Sequence, residues 1–195
     1  YADEPQSLNY IRNRCFEMGK EHFRNSDANH YETLKWLESI VKTLDTIRES
    51  NNYSIEACFS PGAACVEKLT ALCRHARGSI DVCVFTISDN RISRELIAAH
   101  QRIVNVRVVT DNDKSEDRGS DIEEMIRSGI PVKMDKSSHH MHHKFAIFDN
   151  HFLVNGSFNW TRSASNYNQE NLVVTTDDRL IEQFNDVFMG LWKQY

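Results

Sequence analysis

The run SIDVCVFTI (residues 79–87) is almost continuously apolar, the texture of a strand covered on both faces rather than one. A strand of that kind needs layers on both sides, and the flanking sequence supplies them. Upstream, YSIEACF (53–59) reads as a strand, and SPGAACVEKLTALCRHARG fits a helix that begins after Pro61 and stops near Gly78. Downstream the cycle repeats with a helix at 91–102, the strand VNVRVVT (104–110), an acidic loop DNDKSEDRGSD (111–121), a helix at 121–128 and the strand IPVKM (130–134). KFAIFD (144–149) and HFLVNG (151–156) form two short strands joined by a tight Asp149-Asn150 turn. They are followed by a polar stretch 156–170, the strand NLVVTT (171–176) and a final helix from Asp178. The expectation is an α/β fold with a central sheet between helices.

Residues 1–52 have a different texture and are expected to form a helical extension to a domain spanning 53–195. In HYETLKWLESIVKTLDTIRES the apolar residues Leu34, Leu37, Val41 and Leu44 recur at spacings of three and four, with Asp27 or Asn29 as cap. SLNYIRNRCFEMGKEHF places Leu8, Ile11, Cys15 and Phe16 on one side of an earlier helix. Such an arm either packs on the main domain or docks a protein partner through residues 1–50. At 195 residues and 40% hydrophobic content the chain has enough apolar material for one sizeable core. No run approaches the roughly 20 apolar residues of a membrane-spanning helix, and no signal-peptide pattern opens the chain. Tyr1 is no initiator residue, so a leader or anchor upstream stays open.

The five cysteines, Cys15, Cys58, Cys65, Cys73 and Cys83, are odd in number and contain no CxxC pair. They read as buried free thiols of a reducing compartment, favouring the cytoplasm. The alternative, a zinc cluster of Cys58, Cys65, Cys73 and His75, has spacings that match no compact knuckle. A net charge of -5 argues against unspecific coating of nucleic acid, though not against a local basic groove. Asp111, Asp113, Glu116, Asp117 and Asp121 in the acidic loop suggest calcium, but the EF-hand order of ligands and glycine is missing, which leaves a solvated connection.

Chemistry concentrates at HHMHHKFAIFDN (139–150). Strand alternation puts His142 and Lys144 on one face and His143 and Phe145 on the other. Fifteen residues after His142 comes Ser157, and GSFN repeats the i, i+2 device with Ser157 and Asn159. Cleaving a phosphodiester needs a group to attack phosphorus, an acid for the leaving oxygen and donors around the non-bridging oxygens. A neutral His142 suits attack, Lys144 supplies charge, and Ser157 and Asn159 donate. Glu170 is the candidate to accept from the second imidazole nitrogen and fix its tautomer. One such constellation still lacks a separate proton donor. A zinc site built from HHMHH is disfavoured because adjacent histidines on an extended chain point apart.

His142-x-Lys144-x4-Asp149 followed by Gly156-Ser157-x-Asn159 resembles the signature of the phospholipase D superfamily, over roughly residues 53–195. MHHKFAIFD, VRVVTDND, GSFNWT and ENLVV look most like its short members with a single HKD copy, the bacterial endonuclease Nuc and the Zucchini or mitochondrial cardiolipin hydrolase group. The cysteines do not reproduce the zinc cluster of Zucchini-type proteins. The resemblance implies a mixed sheet flanked by helices and a metal-independent reaction without cofactors. It also implies a homodimer whose composite active site pairs one His142 with a second across a shared phosphate. One histidine becomes a covalent phosphohistidine and the other acts as acid, then base; Lys144, Ser157 and Asn159 cradle the phosphate, Glu170 orients the histidine and Asp149 supports the strand end. Such a site acts on nucleic acid or on phospholipid head groups. Lys133, Lys136, Arg162 and Trp160 nearby favour an endonuclease, while no anchoring apolar segment favours a lipase. Trp160, Thr161, Arg162 and Asn166 are expected to line the groove or begin a helix.

Overall fold

The computed structural model describes residues 8–25, 30–49, 53–115 and 120–195, which divide into two compact units, 1–52 and 53–195. The expected caps Asp27 and Asn29, and Glu116 and Asp117 of the acidic loop, lie outside the described residues. No described helix is long and apolar enough to cross a membrane.

The first unit is a helical pair, α1 (Leu8–Asn25) and α2 (His30–Glu49). Leu37, Val41 and Leu44 of the apolar stripe read in the sequence are partly buried, and Leu37 makes the contact. Gly19 takes the contact position: a Cβ there would stand 3.0 Å from Leu37 Cδ1, so the missing side chain lets Leu37 lie against the α1 backbone. Thr33 is buried, whereas Ile11, Phe16 and Leu34 remain exposed.

The second unit is built on a seven-stranded mixed sheet in the order β1-β7-β6-β5-β2-β3-β4. The strands are β1 (Ile55–Phe59), β2 (Ser79–Val84), β3 (Asn105–Thr110), β4 (Val132–Met134), β5 (Lys144–Phe148), β6 (Phe152–Gly156) and β7 (Asn171–Thr175). β2, β3 and β4 run parallel, and β5, β6, β7 and β1 alternate antiparallel beside them. The helices are α3 (Ala64–His75), α4 (Asn90–Gln101), α5 (Asn112–Ser115), α6 (Ile122–Arg127), α7 (Arg162–Asn166) and α8 (Asp178–Gln194). Two cores follow from the period-2 alternation of β5. Ala146 and Phe148 join Leu69 of α3, Leu96 of α4 and Met125 of α6 on one face. Phe145 and Ile147 meet Ile181 and Phe188 of α8 on the other. The α/β fold with helices on both faces is the one the sequence pattern implies.

Departures have local causes. SIDVCVFTI leaves the sheet after Val84, and Ile87 instead makes an isolated bridge to Trp160. The acidic loop opens with the single turn α5, and the polar stretch contains α7, whose cap Thr161 accepts from Ala164 N at 3.1 Å. α4 starts one residue early because Asp89 accepts from Arg91 N at 3.1 Å. β1 is an edge strand with Ile55 and Phe59 exposed, and its Glu56 pairs with Lys68 of α3 at 2.6 Å.

Asp149 and Asn150 both adopt positive φ, 53° and 51°, to make the two-residue turn between β5 and β6. The Asp149 carboxylate then collects three backbone N–H groups, from Arg77 (3.0 Å), Gly78 (2.6 Å) and Ser79 (3.0 Å). It thereby ties the β5–β6 turn to the entry of β2. Burial works against the charge, but these donors win and hold the carboxyl below the usual carboxylate range. Asp149→Asn tolerates the backbone conformation and keeps one acceptor, so it isolates the charge. It is expected to lower stability by about 1–2 kcal/mol at pH 7 in urea unfolding. A depressed folded-state pKa stabilises above the unfolded value of about 3.9 and is lost as pH falls through the folded value. The gap between wild type and variant should therefore close in acid.

Candidate active site

Pairing of Val84 with Lys144 sets the start of β5 beside the end of β2, and pairing of Gly156 with Leu172 sets the end of β6 beside the start of β7. His142, Lys144, Ser157, Asn159 and Glu170 thus come to one end of the sheet, outside the carboxyl ends of the parallel strands, where α/β folds commonly bind ligands. Asp149 lies at the other end of β5. Five residues at about 3.3 Å each separate it from Lys144. It touches the β2 entry and none of the other five, so its part is to support the strand end and not to meet the reacting groups.

Lys144 is 9% exposed, on the same face as Ala146 and Phe148. Its Nζ lies 3.1 Å from His142 Nδ1 and 3.3 Å from Nε2, and donates to the His142 carbonyl at 2.9 Å. The ammonium also stands 5.3 Å from the Phe85 ring centroid, and the His142 ring leans on the same ring at 4.6 Å. Burial pushes the Lys144 pKa down, opposed by the charge of Glu170. His142 is likewise lowered, first by burial and then by the neighbouring Lys144 and His140, against a smaller pull from Asp111. The result is an imidazole that holds an unprotonated nitrogen at neutral pH, beside a fixed cation.

Gly156 carries GSFN close against β7. A Cβ at this position would fall 2.1 Å from the Asn171 carbonyl oxygen, so only glycine fits. Ser157 Oγ accepts from Asn171 N at 3.1 Å and the side chain is exposed. Asn159 Oδ1 is buried and has no hydrogen-bond partner among the described residues. Glu170 departs from the expected role. It accepts from Asn168 Nδ2 at 3.2 Å, acts electrostatically on Lys144, and makes no hydrogen bond with His142. The reason is backbone tethering: Glu170 N donates to Ser60 Oγ at 3.2 Å and Glu170 O accepts from Ser60 N at 3.0 Å, which fixes the residue beside β1.

Two site residues escaped the sequence reading. Phe85 supplies the ring beneath His142 and Lys144, and its signal was an aromatic where the apolar run outlasts its strand. Asp111, fully buried, accepts from Met141 N at 2.9 Å and so holds the approach to His142. Its signal was a carboxylate directly after VRVVT, read instead as part of a solvated loop. Of the expected flanking residues, Trp160 is 1% exposed in the core, and Lys133 turns toward α8 to donate to the Trp192 carbonyl. Arg162 and Lys136 are exposed, with Arg162 donating to Asn90 Oδ1. Phe59 and Tyr167 are the exposed aromatics here, 65% and 79%, since Phe59 pairs with Asn171 and Asn168 is held by Ser60 Oγ at 2.9 Å. His143 lies edge-on to Phe145, across the strand from His142. A hollow of about 380 Å³ runs along His140, His142, His143 and Leu191. The cysteines are free, and burial raises Cys65 to about 11 and Cys73 and Cys83 to about 12. Such thiols stay protonated, and among the described residues none joins a converging set of metal ligands.

An NMR pH titration of His142 is expected to have its midpoint below the ordinary value of about 6.5. Lys144→Met, which removes the adjacent charge, should move that midpoint up. An unchanged midpoint would mean that the ammonium does not act on the ring.

A family profile described as "Cardiolipin synthase, PLD-like domain" matches residues 69–192. The mitochondrial cardiolipin hydrolase of Chlamydomonas reinhardtii is 46% identical over 120 residues, covering 62% of this chain and 54% of that protein. The mitochondrial cardiolipin hydrolase of Homo sapiens is 40% identical over 134 residues, covering 69% and 53%. The chain thus spans about half the length of these curated relatives. Among solved structures, the phospholipase D family member Nuc from Salmonella typhimurium is 31% identical with a TM-score of 0.69, covering 73% of this chain and 96% of that one. Profile, relatives and fold point to one family, and the chain belongs to the phospholipase D-like family.

Proposed function

We propose that the chain is a metal-independent phosphodiesterase that works through a covalent phosphohistidine at His142. The observation that carries this reading is the contact of Lys144 Nζ with both ring nitrogens of His142, on an imidazole whose pKa is lowered. The neutral ring attacks phosphorus, the bond to the leaving oxygen breaks, and that oxygen takes a proton. Lys144, Ser157 Oγ and the Asn159 amide hold the non-bridging oxygens. A single chain offers one histidine so placed; the acid is His142 of a second copy in a homodimer. That second ring then deprotonates the water that hydrolyses the phosphohistidine.

For the substrate, exposed Phe59 and Tyr167, with Lys136 and Arg162, support single-stranded nucleic acid, whose bases stack on aromatic rings while cations follow the backbone. A second reading, hydrolysis of anionic phospholipid, is supported by the names of the relatives, mitochondrial cardiolipin hydrolases. Both substrates present the phosphodiester that the site needs.

Labelled single-stranded oligonucleotide, duplex and cardiolipin-containing vesicles offered side by side should separate the two, with cleavage of the single strand expected. Cleavage of the vesicles alone would overturn the nucleic-acid reading. His142→Asn is expected to reduce hydrolysis on the order of 10³-fold or more, and EDTA to leave it undiminished. In mixtures of wild-type and His142→Asn chains, activity should follow the square of the wild-type fraction. Strict proportionality to that fraction would rule out the composite site.

A further inference from the structure

The histidine run and the acidic loop, each unconvincing alone as a metal site, meet in the fold. Asp111 at the end of β3, Asp113 in α5 and His140 in the approach to β5 each bring a ligand atom within 4.8 Å of the others. His140 Nδ1 is 3.3 Å from Asp111 Oδ2 and 3.9 Å from Asp113 Oδ2. Metal bonds of about 2.0–2.1 Å at the tetrahedral angle put neighbouring donors about 3.4 Å apart. The 3.3 and 3.9 Å spacings approach that of a coordination shell, which small side-chain adjustments would complete.

Charge points the same way. Asp111 is completely buried, and its one ion-pair partner among the described residues is the imidazole of His140. Among the described side chains no lysine or arginine balances it, although a buried carboxylate without a counter-charge is costly. Asp111 is also preset, receiving Met141 N at 2.9 Å and Asp113 N at 3.0 Å. The other two side chains are 54% and 63% exposed, which leaves an entry path. His139 and His143 take no part in the group.

We propose that Asp111, Asp113 and His140 form a binding site for a divalent transition-metal ion of the zinc class. Two carboxylate oxygens and one imidazole nitrogen suit zinc better than calcium or magnesium, which favour all-oxygen shells. Two carboxylates cancel the charge of the ion, and water completes a fourth position. The ion pins the end of β3 to the segment two residues ahead of His142. It is a clamp outside the reacting groups, compatible with hydrolysis that survives EDTA.

The test uses tag-free full-length chain stripped of metal, with ZnCl2 titrated calorimetrically and thermal unfolding followed in parallel. One Zn²⁺ per chain and a rise in Tm are expected, because a ligand bound only to the folded state stabilises it. Asp113→Ala and His140→Gln alter exposed side chains and should remain folded by circular dichroism. Each is expected to weaken Zn²⁺ binding about 10-fold or more and to abolish the rise in Tm. His139→Gln should bind as wild type does. Absence of binding to the wild-type chain, or binding that neither Asp113→Ala nor His140→Gln weakens, would overturn the proposal.

Discussion

An ammonium group with little access to water organises this molecule. Lys144 is placed by the antiparallel entry of β5 between β2 and β6, and its hydrogens turn to the ring and carbonyl of His142 while Phe85 and Glu170 offset the desolvation. A register slip of one residue would carry Lys144 to the α8 face and Phe145 into its place, exchanging a charge and an apolar ring between two cores. The same pairing that satisfies the central sheet therefore determines the chemistry at its end.

β5 serves different purposes along its length. Its first residue belongs to the end where His142 lies, its middle separates the two cores, and its exit is tied by Asp149 to the peptide groups that open β2. A sequence pattern that looks like one unit thus divides between the His142–Lys144 end and a mechanical end at Asp149. Gly156 plays a comparable supporting part, since the 2.1 Å approach of its missing Cβ to Asn171 O is what brings Ser157 onto the β7 backbone.

Much of this was legible in the sequence, and the failures are physical ones. Period-2 alternation put His142 and Lys144 on one face, and they meet at 3.1 Å although β5 begins only at Lys144. The apolar runs marked the central strands. What lay beyond reach was set by contacts distant in the chain. Glu170 answers to Ser60, 110 residues away, rather than to the imidazole. Asp111 is drawn into the interior by Met141, 30 residues on, so its loop is not simply solvated. Trp160 fills the core where a rim residue was expected, and on α1 it is Gly19 that receives Leu37 of the α2 stripe while Ile11 and Phe16 stay exposed. Local pattern announces strand and helix; it is silent on which polar groups tertiary pairing will bury.

Among the described residues β1 bonds to β7 on one side only, so its other side presents peptide groups without a strand partner between exposed Ile55 and Phe59. Such a margin is a template on which another polypeptide can extend the sheet. The charge of Glu56, held by Lys68, sits in the middle of that margin. Replacing Glu56 with an apolar residue would remove a local charge that opposes edge-to-edge association, making this short strand the place where a crowded solution of the protein would first turn cloudy.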